Sequence, residues 1–518
     1  MKDQANLPEE YRIAEPLLTE AERKQLKDFR GYREEQATEA LRPRYHFTAP
    51  KGALNDPNGL CYWKGYWHLF YQNNPEGTGY LWGHAVSRDL LRWKDLPLAV
   101  FPTGGEKACW SGMVMVEAER AVAVYYSLGR GIVIAVSADP MLLHWEKLNG
   151  GEPVIPSDFA ATKEYGNVIY DPCIWKKGNT YCVLSGKFTI NPHSGTRERQ
   201  EFLFESEDLI HWNYRGLFLE NDLFALSDDD GACPYFIPCG DRWLLFHFSH
   251  HSGPNILVGS YDAERNRFII EGGRHQTSSS SHFGGLLAPS AFAGEDGKIT
   301  LIHNVCHCCN PNGNYQLMSL PRRVRLIGKR KNEIAVDVAE EAETLRVPGS
   351  RTVLENVPLE ANREYFPEGV LGDEMEVDMV FEAKNIPMVE IKVMMSEDGS
   401  EYSAIRVWRQ RGNTYLPTFS GSFGYRQSHE TVVQLDTAHS TLCGNVRVPD
   451  EQSFWLAPEE PLNVRVFLDR SVVEVFVNGT VSLAARVSPV SGENRRFSIT
   501  ACGDDLKLEK LESYQLCL

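Results

Sequence analysis

Residues 55–59 read Asn-Asp-Pro-Asn-Gly and lead into an aromatic segment at residues 66–72, and this pairing decides the fold because it recurs along the chain. Asp-Pro and Asn-Gly pairs are usually only turn signals. The segment that follows them, Tyr-Trp-His-Leu-Phe-Tyr-Gln, has the aromatic content of a β-strand. Together the two parts predict a β-hairpin that opens on an acidic residue, Asp56.

Five hairpins with this layout follow one another, each made of an apolar strand, a polar turn and an aromatic or aliphatic strand. They occupy residues 56–72, 110–127, 171–187, 233–249 and 288–304. A second repeat interleaves with them, with a serine and then an aspartate leading to a large aromatic residue: Ser87 to Trp93, Ser137 to Trp145, Ser206 to Trp212 and Ser260 to Phe268. Hairpins that repeat at roughly 55–60 residues are typical of propeller blades, so the sequence predicts a five-bladed β-propeller.

The repeat brings two distant acidic residues together. Asp56 and Asp171 occupy the same place in the first and third hairpins, and proline follows each of them. A solitary acid at the start of a strand is usually a turn former. Matching positions on the innermost strands of a propeller, however, converge near its central axis. We therefore expect both carboxylates to lie in one central cavity.

The rest of the chain predicts an all-β protein with a second domain and a short helical arm. Thr19 and Glu22 fit a capping box at the start of a helix in the polar N-terminal arm. Short segments near the C-terminus, such as residues 374–381 and 472–477, alternate in the manner of a β-sandwich. The predicted boundaries are 1–43 for the arm, 44–335 for the propeller, 336–346 for a linker and 347–518 for the sandwich.

Length and charge limit the kind of protein and its partners. The chain has 518 residues and a formal net charge of −17, with 42% hydrophobic and 24% charged residues. That composition is typical of soluble globular proteins, and the length exceeds what one hydrophobic core usually serves. The acidic balance disfavours nucleic acid and membranes as partners and fits a neutral ligand. We expect a cytoplasmic protein without a membrane-spanning or secretory segment, and the arm and the sandwich are the candidate surfaces for homo-oligomer contacts.

The twelve cysteines have no disulfide framework spacing, and several lie inside predicted strands, so reduced thiols are expected. The run Cys306-His307-Cys308-Cys309 has the residue types of a metal site. Neighbouring residues on a strand point to opposite faces, however, which disfavours one shared tetrahedral site. No metal or organic cofactor is therefore expected.

Several motifs together resemble those of glycoside hydrolase family 32, which includes invertases, inulinases and levanases. The first part of the chain carries Asn-Asp-Pro-Asn-Gly at 55–59, Phe-Tyr-Gln at 70–72, Trp-Gly-His at 82–84, Trp-Ser-Gly at 110–112, Tyr-Asp-Pro at 170–172 and Ala-Cys-Pro at 232–234. The last part carries Leu-Asp-Arg-Ser-Val-Val-Glu-Val-Phe at residues 468–476. This resemblance implies a five-bladed propeller followed by a β-sandwich, as the repeats predict independently.

The resemblance also implies roles for individual residues. The family's nucleophile corresponds to Asp56, which would attack the anomeric carbon of a fructofuranosyl unit with retention of configuration. Its transition-state stabiliser corresponds to Asp171, which would hold the sugar ring as positive charge develops. Residues that match the lining of the sugar pocket, or that would add to its wall, are Asn55, Gln72, Trp82, Trp110, Ser111 and Tyr170.

Two of these motifs depart from the family pattern. Ala232 stands where the family has the glutamate that serves as general acid and base. Protonation of a leaving group by a positioned acid is typically worth about 10²–10⁴-fold in rate. Tyr170 stands where the family has an arginine that grips sugar hydroxyls, which puts the usual substrate in question.

Three interpretations of Ala232 are open. In the first, the acid has moved to Asp230, which lies two residues away and on the same side of a strand. In the second, the chain is an inactive relative that binds or senses sugar. In the third, the alanine is engineered, which the further change at Tyr170 disfavours. Other candidates for the acid are His247, His250 and His251.

The first interpretation is the one that we adopt. The sequence predicts a retaining glycosidase of the β-fructofuranosidase type, acting on sucrose, a fructo-oligosaccharide, a fructan or a related furanoside. Its catalytic residues would be Asp56, Asp171 and Asp230, and its partner a carbohydrate substrate. A non-catalytic sugar-binding protein and a fructosyltransferase are the alternatives.

Overall fold

Two helices precede the strands of the protein, α1 (Glu9–Ala14) and α2 (Glu20–Gln36). The predicted capping box begins α2, since Thr19 accepts from the backbone N–H of Glu22 and the Glu22 carboxylate accepts from that of Thr19 at 2.7 Å. The computed structural model describes residues 9–75, 77, 79–159, 169–186, 188–277, 285–306, 315–328, 333–385, 387–409, 413–417, 423–427, 430–443, 449–490 and 495–518, and only the backbone of 413–417 and 423–427. None of the helices in these ranges is long and apolar enough to cross a membrane.

Five sheets come next along the chain, and their strands pair antiparallel except for the short strand Leu219–Glu220, which pairs parallel. The first two contain β1 (Ala53–Trp63), β2 (Tyr66–Asn74), β3 (Leu81–Ser87) and β4 (Lys94–Val100), then β5 (Cys109–Val116), β6 (Ala121–Ser127), β7 (Gly131–Ser137), β8 (Glu146–Lys147) and β9 (Ile155–Pro156). The third contains β10 (Pro172–Lys177), β11 (Thr180–Gly186), β14 (Glu201–Ser206) and β15 (Asn213–Leu217), while β12 (Thr189–Ile190) and β13 (Arg197–Glu198) pair separately.

The fourth and fifth sheets follow the same order of strands. The fourth contains β16 (Leu219–Glu220), β17 (Ala232–Cys239), β18 (Arg242–Ser249), β19 (Gly253–Asp262) and β20 (Arg267–His275). The fifth contains β21 (Leu286–Ala293), β22 (Ile299–Val305), β23 (Leu317–Met318), β24 (Arg322–Ile327) and β25 (Glu333–Val338). The predicted hairpins are thus the two innermost strands of each sheet.

The innermost strands close a ring. β1 contacts β5, β5 contacts β10, β10 contacts β17, β17 contacts β21, and β21 contacts β1. Apolar side chains of adjacent sheets pack between them, for example Val122 and Ile134 of the second sheet against Ile174 of the third. The five sheets are therefore the blades of a propeller, as the sequence predicts.

The second sequence repeat forms the turn between the third and outer strands of a blade. The Asp89 carboxylate accepts the backbone N–H groups of Leu91 and Arg92 at 3.1 and 2.8 Å. Asp139 and Asp208 bind their own turns in the same manner. Asp and Asn often hold turns in this way because their short side chains reach backbone two or three residues ahead. These three aspartates therefore serve the fold.

Tyr235 joins four blades at the propeller axis. Its hydroxyl donates to Gly112 O at 2.9 Å and accepts from the backbone N–H of Gly59 at 3.0 Å. It also accepts from Ser290 Oγ at 2.8 Å. The tyrosine is 1% exposed, so these groups have no water to replace the hydroxyl. The phenol therefore ties the innermost strands of four blades together.

Tyr235→Phe is expected to lower the free energy of unfolding by about 1–3 kcal/mol, because it leaves buried polar groups on three other blades without a hydrogen-bond partner. Urea unfolding followed by fluorescence measures the change. Tyr62→Phe is the matched control, since Tyr62 is 45% exposed and its loss should change stability by less than about 0.5 kcal/mol. Equal shifts for the two variants would show that Tyr235 has no such role.

A β-sandwich follows the propeller. A 3₁₀ turn at Glu340–Leu345 precedes it; two others lie at Glu15–Leu17 and Asn149–Gly151. Its strands are β26 (Thr352–Leu359), β27 (Glu364–Tyr365), β28 (Glu374–Phe381), β29 (Met388–Met395), β30 (Ser403–Trp408), β31 (Asn413–Pro417), β32 (Phe423–Gln427), β33 (Glu430–Asp436), β34 (Asp450–Trp455), β35 (Leu462–Asp469), β36 (Val472–Val477), β37 (Val481–Arg486), β38 (Arg496–Cys502) and β39 (Leu506–Gln515). The two facing sheets run β26-β39-β28-β35-β36-β37 and β27-β38-β29-β30-β33-β34, while β31 and β32 pair only with each other.

A buried charge cluster joins the sandwich to the propeller. His46 lies between two sandwich carboxylates, with Nδ1 at 2.7 Å from Asp469 and Nε2 at 3.1 Å from Glu474. Arg322 of β24 adds a second contact to Glu474 at 2.8 Å. All four side chains are fully buried or nearly so. Two positively charged and two negatively charged side chains thus hold the propeller and the sandwich together.

Candidate active site

A cavity of about 340 Å³ opens where the inner strands begin. Its wall takes residues from all five blades, including Asp56 of the first and Asp171 of the third. Register shifts near the starts of β1, β5, β17 and β21 bend these strands at the cavity. A bulge of this kind re-aims the side chain beside it. Local irregularity in the strands therefore turns polar groups toward the axis.

Three hydrogen-bond donors surround one oxygen of Asp56. Its Oδ2 accepts from Ser111 Oγ at 2.6 Å and from Gln72 Nε2 at 3.1 Å. The Cys233 thiol approaches the same oxygen at 3.7 Å. Burial raises the pKa of Asp56, and the hydrogen bond from Ser111 opposes that rise. With Oδ2 held in place, Oδ1 is the oxygen suited to attack a carbon atom.

Asp171 lies on the other side of the same thiol. Its Oδ2 accepts from the backbone N–H of Cys233 at 3.2 Å and from Sγ at 3.4 Å. Burial, and then the charge of Asp56, raises the pKa of Asp171 to about 7. Within the described ranges, Oδ1 of this buried carboxylate has no hydrogen-bond partner. A sugar hydroxyl in the cavity would satisfy it.

Asp171→Asn is expected to stabilise the protein at high pH. The pKa of this buried acid is about 7 in the folded protein, so between pH 4 and 7 the folded state holds a proton that the unfolded state has released. The free energy of unfolding of the wild type is therefore expected to fall as pH rises through that window. Removing the charge should raise the free energy of unfolding by about 1–4 kcal/mol at pH 8 and change it little at pH 4. Urea unfolding at both pH values measures this. A penalty at pH 8 would contradict the assigned pKa.

Aromatic side chains form one wall of the cavity. Tyr170 and Trp110 meet edge to face with ring centroids 6.2 Å apart, and Tyr126 packs on Tyr170 at 5.3 Å. Tyr170 therefore joins an apolar surface where an arginine was expected from the family. Such surfaces bind the faces of sugar rings or other apolar groups.

Trp82 lies behind the cavity and not on its wall. It is fully buried, and its indole N–H donates to Trp110 O at 2.9 Å. It supports the strand that carries Trp110 and Ser111. The other residues predicted to bind substrate, Asn55 and Gln72 included, line the cavity with Asp56 and Asp171.

The four residues considered as candidates for the general acid lie in different parts of the structure. Asp230 is 7% exposed, and its two oxygens contact the backbone N–H and Nδ1 of His250 at 2.9 and 2.8 Å. His250 itself lines the cavity, as does Ala232. His247 is buried against Arg199, and burial holds the pKa of His247 well below its usual value. His251 is exposed on the surface.

The sequence did not single out several residues of this wall. Gln316 donates to Asn55 Oδ1 at 2.9 Å, and Tyr80, Phe248, Leu287 and Cys306 also face the cavity. Phe248 and Leu287 lie on inner strands, β18 and β21, whereas Tyr80, Cys306 and Gln316 lie in loops. None of the five belongs to a family motif, and Cys306 was considered only as a metal ligand. Within the run Cys306-His307-Cys308-Cys309 that was considered as a metal site, residues 307–309 lie outside the described residues. Elsewhere in the described chain, no group of three or more His, Cys, Asp or Glu side chains could hold a metal ion.

Two carboxylates that face each other at the axis of a five-bladed propeller, with a sandwich attached, define the class of protein as a glycoside hydrolase. The chain belongs to glycosyl hydrolase family 32. Residues 46–336 match the N-terminal domain of that family, and residues 341–515 match its C-terminal part. It is a glycosidase of the β-fructofuranosidase type.

Individual relatives agree with this assignment. An insoluble β-fructofuranosidase isoenzyme of Arabidopsis thaliana is 25% identical, over 86% of this chain and 87% of its own. A sucrose-6-phosphate hydrolase of Zymomonas mobilis is 25% identical over the same shares. The crystal structure of fructan 1-exohydrolase IIa from Cichorium intybus with 1-kestose has a TM-score of 0.75 at 20% identity, covering 92% of this chain and 98% of that one.

These comparisons confirm the predicted fold and the hydrolase class. They do not favour the sugar-binding or the transferase alternative, because the relatives are named as hydrolases. The roles of individual residues, Asp230 among them, remain predictions.

Proposed function

We propose that this protein is a retaining hydrolase that removes a β-fructofuranosyl unit from a neutral saccharide such as sucrose or a short fructo-oligosaccharide. The observation that carries the proposal is the approach of Asp56 and Asp171 to one thiol, that of Cys233, in a single cavity. A carboxylate on each side of a furanose ring suits a reaction with an oxocarbenium-like transition state.

The first step follows from the positions of the two acids. Asp56 Oδ1 attacks the anomeric carbon as the bond to the leaving oxygen breaks, which gives a fructosyl ester on Asp56. Asp171 accepts hydrogen bonds from ring hydroxyls, and its negative charge stabilises the cationic ring. Water then attacks the same carbon and releases fructose with its original configuration.

The charge and size of the cavity support a small neutral substrate. The volume of about 340 Å³ is near the lower end of the range for ligand pockets. Asp56 and Asp171 are both acidic, and a phosphorylated sugar beside them would be repelled. Trp110, Tyr170 and Phe248 offer apolar surface instead. We therefore place sucrose and 1-kestose ahead of sucrose 6-phosphate.

Incubation with sucrose, 1-kestose and sucrose 6-phosphate tests the proposal, with released fructose measured by ion chromatography. Proton NMR of the first turnovers, with methanol as acceptor, reports configuration. We expect fructose from sucrose or 1-kestose and methyl β-fructofuranoside from methanol. The α-anomer would contradict the double displacement, and saturable binding without turnover of any substrate would contradict the hydrolase.

A further inference from the structure

We propose that His250, held by Asp230, donates the proton to the leaving group of this enzyme, an inference that rests on the proposed function. Ala232 cannot supply that proton. His250 lines the same cavity and directly follows the strand that pairs with the one bearing Ala232.

Strand pairing explains how His250 reaches this place. Ala232 of β17 pairs with Phe248 of β18. Two residues beyond that pair, Asp230 and His250 face each other just past the ends of the strands. Residues two apart on a strand share a face and lie about 6.6 Å from each other. His250 thus continues the part of the cavity lining that Ala232 and Phe248 form.

Asp230 fixes the imidazole in one orientation. Its carboxylate contacts the backbone N–H of His250 at 2.9 Å and Nδ1 at 2.8 Å. The ring of Phe248 packs edge to face against the imidazole, with centroids 5.2 Å apart. Because Nδ1 is bonded to Asp230, Nε2 is the nitrogen that can transfer a proton to the substrate. A carboxylate behind an imidazole is a common way to hold a catalytic histidine.

The charges around His250 favour the protonated form. The hydrogen bond to Asp230 raises the pKa of His250, and burial opposes that rise. The charges of Asp230, Asp171 and Asp56 raise it further. The other titratable groups that line the cavity are Tyr80, Tyr170, Cys233 and Cys306. The three carboxylates therefore favour the imidazolium form, which is the form that can act as an acid.

The position of His250 suits the leaving group. Its side chain is 53% exposed, whereas Asp171 is 3% exposed. A fructosyl unit held between Asp56 and Asp171 would point its glycosidic oxygen outward. That oxygen would then lie on the side where the imidazole stands.

The proton balance closes over two steps. In the first, Asp56 bonds to the anomeric carbon, the glycosidic bond breaks, and Nε2–H of His250 passes its proton to the leaving oxygen. In the second, neutral His250 takes a proton from water as that water attacks the anomeric carbon and frees the Asp56 carboxylate. The enzyme returns with His250 protonated, and the products are fructose and an alcohol.

Glu201 is the nearest rival as proton donor. It is fully buried, and burial holds the pKa of Glu201 well above its usual value, which favours its neutral form. Its carboxyl lies against backbone, however: a Cβ built on Gly186 or Gly231 would be within 2.7 Å of it. It does not line the cavity, whereas His250 does.

A pair of substrates tests the proposal. Sucrose has a poor leaving group and needs an acid, whereas 4-nitrophenyl β-fructofuranoside does not. His250→Gln should lower kcat on sucrose by about 10²–10⁴-fold and change kcat on the nitrophenyl substrate by less than about tenfold. His251→Gln, the adjacent exposed histidine, should change neither. Thermal melting checks that each variant is folded.

Asp230→Asn separates a positioning role from a structural one. The amide can still accept from Nδ1–H but carries no charge, so the alkaline limb of the pH profile on sucrose should move to lower pH. Imidazole in the buffer should restore sucrose hydrolysis to His250→Gly. An equal loss on both substrates, or full sucrose activity in His250→Gln, would overturn the role of His250. A wild-type protein that cleaves neither substrate would instead overturn the proposed function.

Discussion

Asp56→Asn is expected to lower kcat on sucrose by at least about 10⁴-fold, the scale seen when a catalytic nucleophile is removed. The amide keeps the size of the side chain and still accepts hydrogen bonds from Ser111 and Gln72. It cannot form the fructosyl ester. Unlike loss of the proton donor, this change should abolish cleavage of 4-nitrophenyl β-fructofuranoside as well. Initial rates on both substrates measure the effect.

The smaller variant Asp56→Ala allows a sharper test. Azide can enter the space left by the carboxylate and attack the anomeric carbon directly. A single displacement of this kind inverts configuration, so the product should be α-fructosyl azide, which NMR identifies. Asp241→Asn is the matched control, because Asp241 is 87% exposed in its side chain. Unchanged hydrolysis in Asp56→Asn would remove Asp56 as the nucleophile.

The propeller could be predicted because its signal is periodic. Each hairpin repeats the same order of apolar strand, turn and aromatic strand, and Asp89, Asp139 and Asp208 repeat the same turn chemistry. Blade symmetry then placed Asp56 and Asp171 together although 114 residues separate them. No comparable period marks how the sandwich attaches to the propeller. The cluster around His46 is formed by residues far apart in sequence and was not foreseen.

The wall of the cavity was harder to predict. Trp82 was expected at the sugar because its motif resembles that of the family, yet its ring is fully buried behind Trp110. Strand alternation alone does not say which face of an inner strand looks into the cavity when bulges shift the register. For the same reason, the contact between Asp230 and His250 could not be predicted from the sequence. The two residues lie opposite each other only because the strands that they flank are paired.

The second large effect is expected at the buried contact between the domains. Glu474→Gln should lower the free energy of unfolding by about 3–5 kcal/mol, because it leaves two buried cations with a single anion. Burial alone would raise the pKa of Glu474, but the charges of Arg322 and His46 hold it below its usual value. The glutamate also accepts the backbone N–H of Leu320 at 2.9 Å.

Urea unfolding measures this loss, and an exposed ion pair provides the control. Glu360 contacts Arg363 at 2.8 Å, with side chains 69% and 72% exposed. Glu360→Gln should change stability by less than about 0.5 kcal/mol, since water screens such pairs. Similar shifts in the two variants would mean that the buried cluster adds nothing beyond a surface contact.

The same cluster predicts how stability depends on pH. Burial lowers the pKa of His46, but hydrogen bonds to Asp469 and Glu474 raise it to about 9. The folded state therefore binds a proton that the unfolded chain releases near pH 6.5. Its stabilisation is complete below about pH 6.5 and is lost as pH rises toward 9, a fall of up to about 3 kcal/mol. His46→Gln should be less stable at pH 6 and should remove this slope, whereas a slope that persists in the variant would place its origin in another group.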